Sequence, residues 1–292
     1  MEWLKYRRIY FSVSVIMIGV GIFSLASWGL KLGVDFRGGA ILEYKFSEDI
    51  STEEAAKKIE EKDIEVTSVQ TIGERTYLFR LPHIDQDQKD SIKNTLSEMV
   101  EGEVTELRFE TVGPTIGPEL VKKTIYAISF ASLGILLWVA IQFKSIKFGV
   151  SAILAMFHDS FILIGSFSLL GYFFSVETDF LFVTALLTTL SFSVHDTIVV
   201  FDRIRESQKT SGDEFLDLGN RAISETMVRS LNNSFTIIFM LVALVLLGGT
   251  TIKWFAVALF IGTVLGTYSS PFVAVPLLVT WDELVKRIKQ RK

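Results

Sequence analysis

Five ionisable side chains interrupt stretches of this sequence that are otherwise strongly apolar. They are His158, Asp159, His195, Asp196 and Arg229. An ionisable residue at the centre of a membrane span costs roughly 2.5–3.5 kcal/mol on insertion scales, so each of the five indicates a functional site. The chain has no Cys and three His, which excludes thiol catalysis and leaves few soft metal ligands. Binding and transferring protons is one chemistry that such side chains perform inside a membrane.

Asp196 has polar neighbours at helical spacing. It shares one helical stripe with Thr189 and Ser193, and polar residues aligned in this way face a bundle interior or a wet cavity. Arg229 begins the next apolar stretch at a comparable depth, so we expect Asp196 and Arg229 to pair. Burial favours the neutral form of a carboxyl and a nearby Arg favours the charged form, so movement of Arg229 would switch Asp196 between binding and releasing a proton. Three further polar residues lie on or beside the Arg229 face: Asn232, Asn233 and Thr236.

Each of these residues also has a purely structural interpretation. Arg229 would extend to the interface and only fix the topology, and Asp196 would make one interhelical hydrogen bond. His158 and Asp159 would either relay protons or hold helices together, and the sequence favours neither role. His195 would bond across helices as a neutral imidazole. Consecutive helical residues point about 100° apart, so neither His–Asp dipeptide is expected to be a contact pair.

The hydropathy predicts the elements that position these side chains. The 292 residues are 49% hydrophobic and 21% charged, with a mean hydropathy of +0.41, so the charges must be segregated from long apolar stretches. This composition excludes a soluble globule, a disordered or fibrous chain and a disulfide scaffold. About 20 apolar residues cross the hydrocarbon core of a bilayer. Six segments qualify as spans: 9–30, 124–143, 148–174, 179–201, 229–247 and 255–281.

The distribution of Lys and Arg predicts which way the spans face. With a cytoplasmic N-terminus, that side collects fifteen Lys and Arg, whereas the opposite short loops contain only Lys253, with Lys122 and Lys123 beside the second span. A cleavable signal peptide is the alternative for the first span, although its apolar stretch exceeds the usual length of about 7–15 residues. The predicted regions are a cytoplasmic N-terminus with the first helix (1–30), an exterior domain (31–123), five further helices (124–281) with a cytoplasmic loop (202–228), and a basic cytoplasmic tail (282–292).

Residues 31–123 form the predicted exterior domain and hold 20 of the 33 acidic residues. Their pattern predicts strands and helices in the order β-α-β-β-α-β, which is typical of a small ferredoxin-like α+β fold. This segment has no nucleophile–base pair or metal cluster in its sequence, and its lone His83 follows a Pro in a predicted surface turn. The predicted strands are 40–46, 65–71, 75–81 and 103–111, and the predicted helices are 51–61 and 85–102.

Four further stretches are too polar or too rich in glycine for their places in the chain. They are 33–39 (GVDFRGG), 112–120 (VGPTIGPEL), 196–206 (DTIVVFDRIRE) and 266–274 (GTYSSPFVA). Gly262 and Gly266 make a GxxxG face that allows close helix approach. We expect this face to pack within the chain; the alternative is a contact with a partner. Six residues are expected to form a tight hinge or anchor where the exterior domain meets the membrane: Gly33, Asp35, Gly38, Gly39, Gly113 and Gly117.

In this order and in these places, the four stretches closely resemble the SecF family, the smaller membrane subunit of the bacterial SecD–SecF complex. The resemblance covers nearly the whole chain. It implies an α-helical membrane protein, a six-helix bundle with the α+β domain after the first helix, distantly related to proton-driven efflux pumps. It also implies that Asp196 and Arg229 match the family's proton-pathway residues. Two departures are His195, where the family usually has Asn, and Pro271, where an aliphatic residue is usual and a kink is now expected.

The resemblance further implies a function. The expected role is an auxiliary subunit of the Sec protein translocase that uses the proton gradient to promote polypeptide export with SecD. Expected partners are SecD, the translocase channel, exported polypeptides and membrane lipids, without nucleic acid, in a bacterial cell membrane. No cofactor besides protons and no catalytic or metal site is expected, because nucleotide loops and nucleophile triads are absent from the sequence. The alternatives are a proton-coupled exporter of small molecules or lipids, and a passive assembly subunit.

Overall fold

A computed structural model describes residues 1–113 and 116–290. Pro114 and Thr115 of the stretch 112–120, and Arg291 and Lys292 of the predicted tail, lie outside the described residues. The chain divides into two compact units, which we call the helical unit (Met1–Lys31 with Tyr126–Lys292) and the small unit (Leu32–Ile125). In chain order the elements are a 3₁₀ turn (Trp3–Tyr6), α1 (Arg7–Trp28), α2 (Val34–Arg37), β1 (Gly39–Lys45), α3 (Thr52–Glu60), β2 (Ser68–Gly73), β3 (Thr76–Leu81), α4 (Gln86–Ser97), β4 (Thr105–Val112), α5 (Ile116–Phe143), α6 (Ile146–Phe174), α7 (Phe180–Thr210), α8 (Phe215–Leu247), α9 (Thr250–Ser269), a π-helical turn (Ser270–Ala274) and α10 (Val275–Gln290).

Six helical segments are long and apolar enough to cross a membrane, which confirms the predicted number of spans. The sixth consists of α9, the π-helical turn and α10 together. Several helices continue past the predicted spans because local backbone features, not hydropathy, end them. The Asp179 side chain accepts a hydrogen bond from the Phe182 N–H at 2.8 Å and begins α7. The predicted loop 202–228 is helical except for 211–214.

Small residues allow the helices of the helical unit to approach closely. A Cβ atom built on Gly262 of α9 would lie 2.0 Å from Thr189 Cγ2 of α7. A Cβ built on Gly165 of α6 would lie 2.4 Å from Gly21 Cα of α1. Gly266 is the second close contact of α9 with α7, since its Cβ would lie 3.2 Å from Ser193 Cα. The GxxxG face of α9 is therefore occupied by α7 of the same chain.

Helices α6, α7 and the sixth span form the interior of the helical unit. Between 50% and 56% of the residues in their most apolar windows are buried, against 11–17% for α1, α5 and α8. The large fully buried side chains include Met156, Phe201 and Ile204. The exposed faces of α1, α5 and the second half of α8 (237–247) are mostly apolar, as expected for surfaces in contact with lipid or with another membrane protein.

The small unit is a four-stranded antiparallel sheet with strand order β2-β3-β1-β4. With the chain order β-α-β-β-α-β, this topology confirms the ferredoxin-like prediction. Alternate residues of the central strand β1 face the two helices, and Leu42 lies opposite both Phe79 of β3 and Phe109 of β4. Helix α4 begins with a reciprocal capping box, in which Asp85 accepts from the Gln88 N–H and the Gln88 side chain accepts from the Asp85 N–H.

Candidate functional site

A carboxyl group lies inside the helical unit where α6, α7 and α9 meet. Asp159 is 5% exposed, and its Oδ2 accepts hydrogen bonds from Ser193 Oγ of α7 and Ser269 Oγ of α9, each at 2.6 Å. Both hydroxyls are buried. A buried carboxyl requires such donors because desolvation without hydrogen bonds costs several kcal/mol. We refer to Asp159, Ser193 and Ser269, with His158, as the buried polar cluster.

His158 is the fourth member of this cluster. Its Nδ1 lies 2.9 Å from Asp159 Oδ1, so the expectation that these neighbours do not touch was wrong. Their Cα–Cβ bonds diverge by about 100°, but the side-chain torsions bring the ring and the carboxyl together. His158 Nε2 is buried without a hydrogen-bond partner among the described residues. The ring stacks on Tyr268 of α9 at a centroid distance of 6.4 Å.

Buried hydroxyls continue from the cluster into the π-helical turn. Ser270 Oγ lies 3.0 Å from Thr197 Oγ1 of α7 and donates to the Gly266 carbonyl at 3.1 Å. Pro271 follows within the turn and has no N–H to donate. The expected kink is therefore a π-helical turn, a feature common at functional sites in helices.

Asp196 lies in a separate and more open place than Asp159. It is half-buried, and its Oδ2 accepts a hydrogen bond from Ser230 Oγ of α8 at 2.5 Å. The predicted pair with Arg229 is not formed, since no ion pair within 4.0 Å joins them in the described chain. Arg229 is exposed, whereas its neighbour Ser230, about 100° around the helix, meets Asp196.

The other predicted relay residues do not gather around Asp196. Ser193 joins Asp159, and Thr189 is buried against Gly262. These two face α6 and α9 while Asp196 faces α8, because one wide polar stripe of α7 is divided among three neighbouring helices. The remaining predicted residues are exposed in this chain: His195, Asn232, Asn233 and Thr236.

A polar cavity of about 370 Å³ lies between α7 and α8 next to Arg229. Arg203 crosses it to form ion pairs with Glu225 and Glu206. Within residues 1–113 and 116–290, His, Asp and Glu form no group of three or more that could hold a metal ion. The cavity is lined by Val199, Asp202, Arg203, Glu206, Glu225, Thr226 and Arg229.

The first two glycine-containing stretches meet inside the small unit. Gly39 has φ +118°, and a Cβ there would lie 2.8 Å from the Leu81 carbonyl oxygen. A Cβ on Gly117 would lie 2.5 Å from the Phe36 carbonyl oxygen. Side chains are therefore excluded at both positions, because the backbone of β3 lies over Gly39 and the backbone of the stretch 33–39 lies over Gly117.

The remaining residues of these stretches have different local roles. Gly33 is the extended residue before the short helix α2, Asp35 lies in its first turn, and Gly38 ends it with φ +78°. Gly113 is in ordinary contact, since its Cβ would lie 3.8 Å from Ile116 Cδ1. A hinge role for this segment stays a prediction.

Sequence reasoning did not assign three of the side chains that build the site. Ser230, Ser269 and Tyr268 carry no charge, so the energetic cost of a charged residue in a span does not point to them. A signal was present for each. Ser269 and Tyr268 lie in the unusually polar stretch 266–274, and Ser230 directly follows Arg229.

Comparison with known proteins gives consistent matches over almost all of this chain. The model of the family "Protein export membrane protein SecD/SecF, C-terminal" matches residues 91–284, and the model of the SecD/SecF GG motif matches 23–50. The protein translocase subunit SecF of Thermobaculum terrenum is 41% identical over 97% of this chain and 94% of its own length.

Two longer proteins are also similar. The protein translocase subunit SecDF of Bacillus subtilis is 31% identical over 96% of this chain, which spans 38% of that relative. The crystal structure of SecDF from Thermus thermophilus, a translocon-associated membrane protein, superimposes with a TM-score of 0.84 at 31% identity over 97% of this chain. Here too, this chain covers only 39% of the longer chain.

Proposed function

This chain belongs to the SecD/SecF family as an auxiliary subunit of the Sec translocase, and we propose that it uses the proton gradient to promote polypeptide export. The observation that carries this proposal is Asp196, a half-buried carboxyl in an apolar span whose hydrogen-bond donor is the neutral Ser230. A proton moving through 100 mV releases about 2.3 kcal/mol. This is comparable with one hydrogen bond to a charged group, about 1.5–3 kcal/mol. The free energy released by one proton is therefore enough to form or break one such interaction of Asp196.

The proposed cycle forms and breaks an ion pair between Asp196 and Arg229. When the carboxyl is charged, Arg229 moves from the exposed face of α8 and pairs with it. When the carboxyl binds a proton, this attraction is lost and Arg229 returns to the polar cavity, while Ser230 remains in contact. Arg229 needs only a side-chain movement, because it precedes Ser230 directly and lines the cavity. Protons are the only coupling agent in this proposal, and no catalytic step is included.

The proposed partner is SecD. In the SecDF relatives this chain corresponds to 38–39% of a longer chain, and SecD would supply the remainder. The exposed polar residues of α7 and α8 support this interface. His195 and Asn232 would face hydrocarbon if the chain were alone in a bilayer, where unpaired polar groups are costly. A SecD helix covering this face would satisfy them and would enclose Arg229 beside Asp196.

The remaining parts of the proposal concern topology and substrate. The multi-pass chain would lie in the bacterial cell membrane with both termini cytoplasmic, as its Lys and Arg distribution indicates. Residues 31–123 would then be exterior. There the small unit would hold or pull the emerging polypeptide beside the translocase channel, with the segments 33–39 and 112–120 as hinge.

Asp196→Asn tests the proton coupling in membrane vesicles that contain the complete translocase. We expect completion of export in the presence of a proton gradient to fall to the level seen with an ionophore, while export without the gradient stays unchanged. Asp217→Asn is the control, because Asp217 is an exposed carboxylate in the first turn of α8 that does not line the polar cavity. Full gradient stimulation in Asp196→Asn vesicles would exclude the proposed role.

Arg229 variants separate proton coupling from passive assembly. Arg229→Gln should remove gradient stimulation as completely as Asp196→Asn, and the double variant should be no worse than either, because the two residues act in one step. Co-purification with SecD should persist in all three. A passive assembly subunit would instead lose SecD and tolerate both conservative changes.

A further inference from the structure

The His158–Asp159 couple of the buried polar cluster changes its net charge by one unit when one proton binds. With the ring proton on Nδ1, His158 donates to Asp159 Oδ1, and the couple carries one negative charge. One more proton, bound at the carboxyl group, forms a carboxylic acid and makes the couple neutral. Both states are supported by the surroundings. Ser193 and Ser269 stabilise the charged carboxylate at 2.6 Å, and burial favours the neutral couple.

No formal charge from a neighbouring helix contacts the couple in the described structure. Helix α7 presents Ser193, and α9 presents Ser269 and Tyr268, whose hydroxyl donates to the Tyr10 carbonyl of α1 at 3.2 Å. Of the other titratable groups on these packed elements, His195 is exposed and Asp196 faces α8. Outside the couple, the charged residues of α1, α6 and α10 lie toward the helix ends, where Arg7 pairs with Glu283 and Lys147 with Asp282. Lys147 lies about 17 Å along α6 from His158.

We propose that His158 and Asp159 bind one proton as a unit inside the helical unit, separately from Asp196, and that Ser269 transmits their charge to the π-helical turn. The proposal rests on the proposed proton coupling. It adds a second proton-binding site, whose protonation changes the conformation of the π-helical turn. Hydrogen bonds to a charged acceptor are roughly twice as strong as neutral ones. Protonation therefore weakens the bond from Ser269, whose alternative acceptor is the Gly266 carbonyl at 3.4 Å.

The π-helical turn is the element able to respond to Ser269. It begins at the next residue, Ser270, and Pro271 has already removed one backbone hydrogen bond from the helix there. Side-chain bonds of Ser270 to Thr197 and Gly266 hold the turn. Beyond it, α10 carries Asp282 and Glu283, which pair with α6 and α1. A change at Ser269 thus alters the direction of a helix that is tied to two others.

Infrared pH-difference spectroscopy tests for the proton directly. The full chain with SecD is reconstituted in phosphatidylethanolamine–phosphatidylglycerol vesicles, and the carboxylic acid C=O band is followed with pH. Asp159→Asn should remove one component of this band, and Asp196→Asn should remove a different one. Asp217→Asn is the control for an exposed carboxylate. A band that is unchanged in Asp159→Asn overturns the assignment. Should that variant fail to fold, Asp159→Glu must retain a component at a shifted frequency, and its absence also refutes the proposal.

Spin labels test the transmission, since the chain has no Cys of its own. Labels at Tyr6→Cys and Ile288→Cys, two exposed positions, report the distance between the start of α1 and the end of α10. We expect a pH-dependent shift of at least about 1.5 Å, the rise of one helical residue, which both Asp159→Asn and Ser269→Ala abolish. Persistence of the shift in Ser269→Ala refutes the coupling. Asp196→Asn should lose gradient-driven export yet keep this shift, so the two proposals fail independently.

Discussion

Gly262→Ala should force α9 away from α7. The new Cβ would lie 2.0 Å from Thr189 Cγ2 and 2.6 Å from Thr189 Cβ, whereas non-bonded carbon atoms prefer about 3.5–4.0 Å. Rotation of the Thr189 side chain moves its methyl group but not its Cβ. The backbones must therefore separate by roughly 1 Å or more, which would also draw Ser269 away from Asp159.

The size of the effect follows from two opposing contributions. Overpacking a close contact costs about 1–3 kcal/mol, and replacing a helical Gly with Ala gains up to about 1 kcal/mol of helix propensity. Gly134→Ala on α5 is the matched control, because nothing lies within 4 Å of its Cβ and it gains the same propensity. The free energy of unfolding of the two variants should therefore differ by about 1–3 kcal/mol, with Gly262→Ala the less stable.

Reversible unfolding of the purified chain in mixed micelles measures this difference. Thr189→Ala should restore part of the stability lost in Gly262→Ala, because it removes the atom at 2.0 Å and leaves the Cβ at 2.6 Å. Equal stabilities for the Gly262 and Gly134 variants would refute the reasoning. Loss of SecD co-purification with unchanged stability would show that the GxxxG face meets the partner instead of α7.

Two further predictions concern the small unit and are measured by hydrogen exchange of its amides in the full chain. Tyr44→Phe should leave its stability unchanged or raise it by about 1–3 kcal/mol, because the Tyr44 hydroxyl is buried without a hydrogen-bond partner in the described structure. Burial, with smaller contributions from Glu106 and Asp90, raises the pKa of Tyr44. The small unit therefore keeps its full stability below the pKa of an unfolded Tyr, near 10, and loses stability as pH rises through the folded pKa. Tyr44→Phe should make this loss of stability at alkaline pH smaller. Gly39→Ala should destabilise β1 by about 1–3 kcal/mol through its positive φ, whereas Gly73→Ala, with its nearest neighbour at 3.5 Å, should be tolerated; equal protection in both variants would contradict this.

Patterns within single segments predicted much of this fold. Apolar length gave six spans, and the alternation of strand and helix signals gave the ferredoxin-like order. Boundaries were less accurate, because caps and turns end helices independently of hydropathy. Helix α7 runs to Thr210 although its apolar stretch ends at Phe201. The positions of the charges also predicted that Asp159 and Asp196 are functional-site candidates, since the cost of a charge in a membrane does not depend on the detailed packing.

The partners of those carboxyl groups required the tertiary structure. Helical periodicity places Ser193 and Asp196 on one side of α7, but the close contacts at Gly262 and Gly165 fix how neighbouring helices are rotated and so divide that side among them. Asp159 consequently meets Ser269, 110 positions away in the chain, while Asp196 meets Ser230 and not the adjacent Arg229. The sequence alone determined that charges must be held inside a six-span membrane protein. Only packing decided which hydroxyl groups bind them. The side of a helix on which a residue lies follows from the local sequence, but the helix that packs against that side does not.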